Sequence, residues 1–390
     1  MKNKNVLITI IVCSMGLSSC WLVRGIKVIN FTEKDYLKKH YITFQSNHRD
    51  SLLLLLAKDK TAQEEIISIT NQIESGSNFN KTKAFIVFKN NQLVYKRYFH
   101  GFKENDMYST MSLTKSITAL LLFMAIDEGK IASIKDPITD YLPQLLGNDT
   151  NFKKVTIYDV LNMKSGVDFD DPSDSNNCIV CGKNCNMKAP FTKFTRFALG
   201  RNQNRFVNKL KTKFPADSIF CYQNINTQIL AMIIEKVTNM ELQSYFEKKL
   251  WKPLEMQEPA TWNIDDKCHK KVKGYANFNT NVTNLSKIGL MLVNYGFWNE
   301  RQILKPCWID SLMEVNPNTK DNYRLHFWKK LHNSSFTMEG SFGQIMYINP
   351  KTKTVMLTFN WNKIGSSVFK DYKNTMNDID SLLSNSKNYK

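Results

Sequence analysis

Ser112-Leu113-Thr114-Lys115 stands at the head of an apolar run, Ser116 to Ile126, and Tyr222-Gln223-Asn224 follows far along the chain. A serine hydroxyl is a poor nucleophile until a base takes its proton. At separation i, i+3 on a helix, the amine of Lys115 shares a face with the hydroxyl of Ser112 and can approach it. A neutral amine there can act as the base, whereas a charged one can lower the pKa of a neighbour. A phenol such as that of Tyr222 ordinarily titrates near ~10, and an ammonium beside it brings it toward the range of a general base. Asn224 is placed to orient the lysine or to hold a substrate carbonyl. A third segment, Gly340-Ser341-Phe342-Gly343-Gln344, opens a strand. Glycines there let a substrate backbone lie against the strand edge. The Gln344 backbone N–H can then join that of Ser112 as an oxyanion hole. Each motif alone has an ordinary structural reading: a helix cap with a surface lysine, a core tyrosine at a helix start, a glycine-containing turn.

The elements that must carry these residues follow from hydrophobic periodicity. Ser112 to Glu128 reads as a helix with Ile117, Leu120, Leu121, Met124 and Ala125 on one face and Gly129 as its stop. Asn224 to Thr238 reads as another, with Leu230, Ile233, Ile234 and Val237 aligned. Val155 to Met163, Leu242 to Leu250 and Asn284 to Tyr295 are further helices, and Phe369, Tyr372, Met376, Ile379 and Leu383 mark an amphipathic one at the C-terminus. Ala84 to Phe88 and Leu93 to Phe99 are β-rich arms around a polar turn, Lys89-Asn90-Asn91-Gln92. Gln344 to Ile348 and Thr354 to Phe359 form a second hairpin, turning at Asn349-Pro350. Strands therefore sit toward both chain ends and helices fill the middle. The economical arrangement is α+β: one antiparallel sheet built from both chain ends and flanked by helices, with an inserted mainly helical lobe.

Taken together, the motifs resemble those of the β-lactamase and penicillin-binding-protein family of serine hydrolases: S-x-x-K, then Y-x-N, then a glycine-containing strand motif. The landmarks between them also fall in family order. They include Asp136-Pro137, Tyr141-Leu142-Pro143, Ser165-Gly166 and Trp251-Lys252-Pro253-Leu254. The branch most similar contains 6-aminohexanoate-dimer hydrolases and class C β-lactamase-like esterases, whose third motif resembles Gly340, Gly343, Gln344 and the later Asn349-Pro350. The resemblance implies acyl transfer through a covalent serine ester. Ser112, Lys115 and Tyr222 would be catalytic, and Asn224, Ser341, Gly343 and Gln344 would hold the substrate. Ser341 departs from the pattern, because the wider family often carries histidine or lysine there. A serine cannot anchor a substrate carboxylate by charge. The alternative is a non-catalytic cell-wall-binding protein of the same fold. The acyl-transfer chemistry requires no metal and no other cofactor.

Lys2 and Lys4 precede an apolar stretch, Val6 to Leu17, too short to span a bilayer, and Leu17-Ser18-Ser19-Cys20 closes it. Residues 1–19 are expected to be a signal peptide and Cys20 the lipidation site of a bacterial lipoprotein. Residues 20–80 would be the lipid-anchored tether and an N-terminal helix, and 81–390 the hydrolase domain. That places the protein in the cell envelope, anchored on the periplasmic or outer-surface side. The chain has 390 residues, 42% of them hydrophobic, enough to bury a sizeable core. Its formal net charge of +18 is spread over the chain. Nucleic-acid binding needs a clustered stripe or a known module, and neither is present. The expected partners are a small-molecule or peptide substrate and the membrane that holds the anchor. Cys178, Cys181, Cys185, Cys221, Cys268 and Cys307 remain after the leader. Outside the cytoplasm they can form disulfides. Free thiols, or a metal site on the first three with Cys268 or His269, are the other readings.

Overall fold

The computed structural model describes residues 41–44, 64, 66–68, 71, 81–169, 193–257, 259–314, 323–329, 334–360 and 368–386. Its strands are β1 (Tyr41–Phe44), β2 (Thr82–Lys89), β3 (Gln92–Tyr98), β4 (Tyr108–Ser109), β5 (Ala260–Asn263), β6 (Phe278–Thr280), β7 (Phe297–Trp298), β8 (Arg301–Gln302), β9 (Tyr323–Arg324), β10 (Phe327–Lys329), β11 (Phe336–Gly340), β12 (Gln344–Asn349) and β13 (Thr354–Asn360). The helices are α1 (Thr114–Asp127), α2 (Ile157–Leu161), α3 (Lys193–Leu199), α4 (Gln203–Val207), α5 (Asn224–Thr238), α6 (Leu242–Phe246), α7 (Val282–Val293), α8 (Pro306–Met313) and α9 (Val368–Asn385).

Seven strands form the main sheet in the order β3-β2-β13-β12-β11-β10-β9. Every neighbouring pair is antiparallel. The first hairpin and the last strands of the chain thus meet at the β2–β13 seam, and the helical segments lie between them in sequence. This is the α+β arrangement expected from the order of the elements. The alternation of side chains along β2 explains why all eight of its residues are buried. Phe85 and Val87 point to one face, where Tyr372, Met376, Ile379 and Leu383 of α9 cover them. Ala84, Ile86 and Phe88 point to the other, toward the large core that contains α1, α5 and α7. A strand covered on both faces reads as continuous apolar sequence. Burial of each large α9 side chain contributes about 1.5–3 kcal/mol.

One polar device fixes α9 to the sheet. The buried Asp380 carboxylate accepts hydrogen bonds from Tyr347 Oη (2.8 Å), Asn349 Nδ2 (2.7 Å) and Thr354 Oγ1 (2.6 Å). Tyr347 and Asn349 belong to β12 and Thr354 to β13, so a single side chain registers the last helix against two strands.

The smaller sheet, β1-β5-β6-β4, has no counterpart in the periodicity reading. Its strands are two to four residues long, too short to show alternation. It matters because β4 leads directly into Ser112. In the helix that follows, burial extends beyond the one apolar face expected from the periodicity. Every residue of α1 from Thr114 to Ala125 is buried, polar ones included. A helix enclosed on all sides belongs at the centre of the fold and carries no solvent face.

Candidate active site

The chain leaves β4, which pairs with β6, and enters a 3₁₀ turn at Met111–Leu113 before α1 begins. Ser112 is therefore on the turn and not within the α-helix. Met111 has φ +51°, a left-handed conformation that a side chain of its size rarely adopts. Neighbouring groups hold the turn in place. The Met111 carbonyl accepts the Thr114 hydroxyl (2.7 Å) and the Asn277 N–H (3.3 Å). Thr110 donates to the Phe278 carbonyl through Oγ1 (2.6 Å) and through its N–H (3.1 Å). The turn is thus clamped to β6 and the residues just before it, and Ser112 is left half-buried at its tip.

Lys115, on the first turn of α1, is 1% exposed. Its Nζ donates to Ser112 Oγ at 2.9 Å and to the Tyr275 carbonyl at 2.9 Å. It also lies 5.0 Å from the centroid of the Tyr222 ring. Three chain segments thus converge on one nitrogen. The Tyr275 carbonyl had no signal in the sequence reading. It is delivered by a segment packed on both central helices: the Gly274 carbonyl accepts Thr118 Oγ1 of α1 (2.6 Å), and the Gly274 N–H donates to Gln228 Oε1 of α5 (3.2 Å). A Cβ on Gly274 would come within 2.9 Å of the Ala231 Cβ, so only glycine lets this segment reach α5 and present its neighbour's carbonyl.

Tyr222 and Asn224 flank Gln223, the residue just before α5. Gln223 Nε2 donates to the Phe169 carbonyl (2.6 Å), and Ser165 Oγ donates to Asn226 Oδ1 (2.6 Å). The start of α5 is thereby tied to the segment around Ser165-Gly166. Asn224 is buried at the first helical position. Tyr222 is 9% exposed and packs between Trp328 (centroids 5.6 Å, stacked) and Tyr323 (5.6 Å, edge-on). Burial holds the Tyr323 phenol well above its ordinary pKa, and Tyr222 and Glu339 add to that effect. Tyr323 consequently stays protonated and serves as wall.

The third motif is a hairpin turn and not an open strand edge. Gly340 and Gln344 are partners at the end of β11–β12, and Ser341, Phe342 and Gly343 form the loop between them. Gly343 has φ +93° and its N–H donates to the Gly340 carbonyl at 3.0 Å. The Gln344 side chain is engaged by the turn and by β13: Oε1 accepts the Phe342 N–H (3.1 Å) and Nε2 donates to the Asn360 carbonyl (3.3 Å). Only backbone at Gln344 is left to act on a substrate. A Cβ on Gly340 would sit 2.5 Å from the Thr110 carbonyl oxygen. The hairpin therefore abuts the turn that carries Ser112. Ser341 and Phe342 are half-buried on that loop.

His326 is another residue absent from the sequence reading. Burial pulls its pKa to about 3, a lowering that the Lys115 charge reinforces and the Leu161 hydrogen bond opposes. The neutral ring bridges the Leu161 carbonyl at Nδ1 (2.7 Å) and the Thr227 hydroxyl at Nε2 (3.0 Å). Its own carbonyl accepts Ser116 Oγ of α1 (2.6 Å). His326 joins α1, α2 and α5 around the site and is no acid or base near neutrality.

The cysteine readings separate. Cys221, beside Tyr222, is disulfide-bonded. Cys268 and Cys307 are free and exposed, so the free-thiol reading holds for these two. Cys20, Cys178, Cys181 and Cys185 lie outside the described residues. His269 Nδ1 is engaged with Asp266 Oδ2 at 2.8 Å. Asp265, Asp266 and His269 lie close enough together to hold a metal ion. Their carboxylates, however, already accept backbone N–H groups from residues 202, 203, 266, 268, 269 and 271.

A profile of the Beta-lactamase family matches residues 81–374. The chain belongs to the beta-lactamase family and is a serine hydrolase of it, acting on a small-molecule or peptide substrate. The 6-aminohexanoate-dimer hydrolase of Paenarthrobacter ureafaciens is 22% identical over 326 residues, 76% of this chain and 79% of that protein. A Bacillus anthracis structure provisionally named for the same activity superposes with a TM-score of 0.71 at 23% identity, covering 90% of this chain and 92% of that one. A class C beta-lactamase mutant superposes with a TM-score of 0.59 at 14% identity, over 85% of this chain and 99% of that one. At these identities the structural likenesses establish the fold alone.

Proposed function

We propose that Ser112 is the nucleophile of an acyl transfer to water. Its Oγ attacks the substrate carbonyl carbon while its proton passes to the Lys115–Tyr222 pair. The same proton then goes to the leaving alcohol or amine as the C–O or C–N bond breaks. A water molecule, deprotonated by that pair, attacks the ester carbon and frees the acid and Ser112. The Ser112 and Gln344 N–H groups would receive the oxyanion, and Asn224, Ser341 and Gly343 would line the substrate. The observation that carries this reading is the 2.9 Å contact from Lys115 Nζ to Ser112 Oγ with the Tyr222 ring against the same nitrogen.

The substrate proposed is an ester or amide with an apolar flank. Trp328, Tyr323 and Phe220 form an aromatic cluster around Tyr222. Ser341 offers no charge for a carboxylate, so penicillin-type substrates are expected to be poor. Fluorophosphonate labelling of the purified protein tests the nucleophile, and labelling that persists in Ser112→Ala removes Ser112 from the mechanism. p-Nitrophenyl esters, the linear 6-aminohexanoate dimer and nitrocefin, compared by kcat/KM, test the substrate class. Nitrocefin as the best of the three would overturn it.

The protein is further proposed to be an envelope lipoprotein held by a lipid on Cys20, with residues 20–80 as tether, 81–390 as the hydrolase domain and no nucleic-acid partner. Two observations support this: the leader ends in a lipidation-type sequence, and Cys221 is in a disulfide, a bond that persists in oxidising compartments. No helix among the described residues is long and apolar enough to cross a membrane. Palmitate incorporation that survives Cys20→Ala would refute the anchor.

A further inference from the structure

A cavity of about 660 Å³ lies away from Ser112. Its walls are the turn at Asn91, the end of α7, the β7–β8 hairpin and the turn at Lys353. Strand register fixes its position relative to the catalytic site. Gln344 begins β12 beside the Ser112 turn, whereas Asn349 ends it, opposite Thr354, which in turn pairs with Lys89. The two sites thus sit at opposite ends of the same central strands, roughly 17 Å apart along β12.

The lining combines aromatic faces with amides already locked in orientation. Phe297 is 46% exposed at the wall, beside Trp298 and Tyr295. Asn91 and Asn294 hold each other through reciprocal amide hydrogen bonds of 3.2 and 2.7 Å. Gln302 spends its N–H groups on the Tyr295 and Leu304 carbonyls, at 2.8 and 2.6 Å, which leaves its Oε1 as a fixed acceptor. Asn299 donates to Glu255 at 3.0 Å and likewise keeps Oδ1. The indole N–H of Trp298, itself buried, has no acceptor. Tyr295 at φ +56° and Lys353 at φ +52° are left-handed backbone at positions where a side chain is disfavoured. Such conformations gather at ligand sites.

We propose that this cavity binds a neutral sugar, one or two rings of a glycan, independently of the catalytic site. The volume is in the range that holds a small organic ligand. A sugar ring has an apolar C–H face, which stacks on an aromatic side chain, and hydroxyls that both donate and accept, which match fixed amides. An anionic ligand would need several cations, and the wall offers the single ammonium of Lys353. Maltotriose, cellotriose and chitotriose, each titrated calorimetrically to about 20 mM, test the proposal. At least one is expected to bind saturably, to bind at least tenfold more weakly to Asn294→Ala and Phe297→Ala, and to bind Ser112→Ala unchanged. Gln302→Leu, on an exposed strand, serves if either variant melts early. Lack of saturable binding by all three sugars, equal binding to the cavity variants, or loss of binding in Ser112→Ala would each overturn it. Ester hydrolysis by the cavity variants stays at the parental rate, so this outcome is separable from the catalytic proposal.

Discussion

Gly340→Ala is a methyl group aimed at the geometry that joins the third motif to Ser112, the proposed nucleophile. The added Cβ would stand 2.5 Å from the Thr110 carbonyl oxygen and 2.6 Å from Gln344 Oε1. Ordinary contact begins near 3.4 Å. Thr110 cannot yield, because its N–H and hydroxyl both bind the Phe278 carbonyl. The hairpin end must therefore retreat by about 0.9 Å, carrying the Gln344 N–H away from Ser112, and a misplacement of that size costs about 100-fold in rate. Expected is a fall of about 100-fold in kcat/KM on a p-nitrophenyl ester, expressed mainly in kcat, with the far-UV spectrum unchanged. The fluorophosphonate labelling rate should fall in parallel, since the proposed oxyanion donors, the Ser112 and Gln344 N–H groups, would serve that reaction too. A variant that folds and retains the parental kcat/KM would refute the claim that the hairpin position governs catalysis.

Lys115→Met and Tyr222→Phe should each lower kcat by about 10²–10⁴, the range for loss of a positioned acid or base, in stopped-flow ester hydrolysis. His326 binds no proton in the folded state until the pH is near 3, whereas its ordinary value is 6.5. The unfolded chain thus holds more protons between these limits. This contribution to stability is complete above pH 6.5 and is lost as the pH falls, by about 3 kcal/mol at pH 4. Urea titrations at pH 8 and pH 4 should show it, and His326→Gln should flatten the difference. Asp380→Ala leaves the Tyr347, Asn349 and Thr354 donors without their acceptor and should cost about 3–5 kcal/mol in the same assay. In native protein, maleimide should modify Cys268 and Cys307 and spare Cys221 until a reductant is added, as read by peptide mass spectrometry.

Local geometry made part of the site legible. Three residues along one helical start bring Lys115 to Ser112 whatever surrounds them, and the 3.6-residue period of Leu230, Ile233, Ile234 and Val237 marks α5 correctly from Asn224 to Thr238. Both hairpins of the main sheet are visible because alternation and turn residues are short-range signals. The apolar face of α1 is legible in the same way, but the enclosure of its polar residues is not, for a physical reason. Thr114 and Thr118, one turn apart, and Ser116 on the opposite side are polar, yet their hydroxyls are satisfied by carbonyls of Met111, Gly274 and His326. Polar residues supplied with buried partners carry no signature of exposure.

The amino-acid sequence by itself determined the Ser112–Lys115 spacing, the helices and hairpins, and the order of motifs that places this chain among serine hydrolases. Only the tertiary structure decided what encloses them. Tyr275 reaches Lys115 across 160 positions of chain. Trp328 reaches Tyr222, and Gly340 reaches Thr110, from comparably remote strands. Contacts of that span are set by how sheet and helices pack, since no propensity of a residue encodes a partner so distant along the backbone.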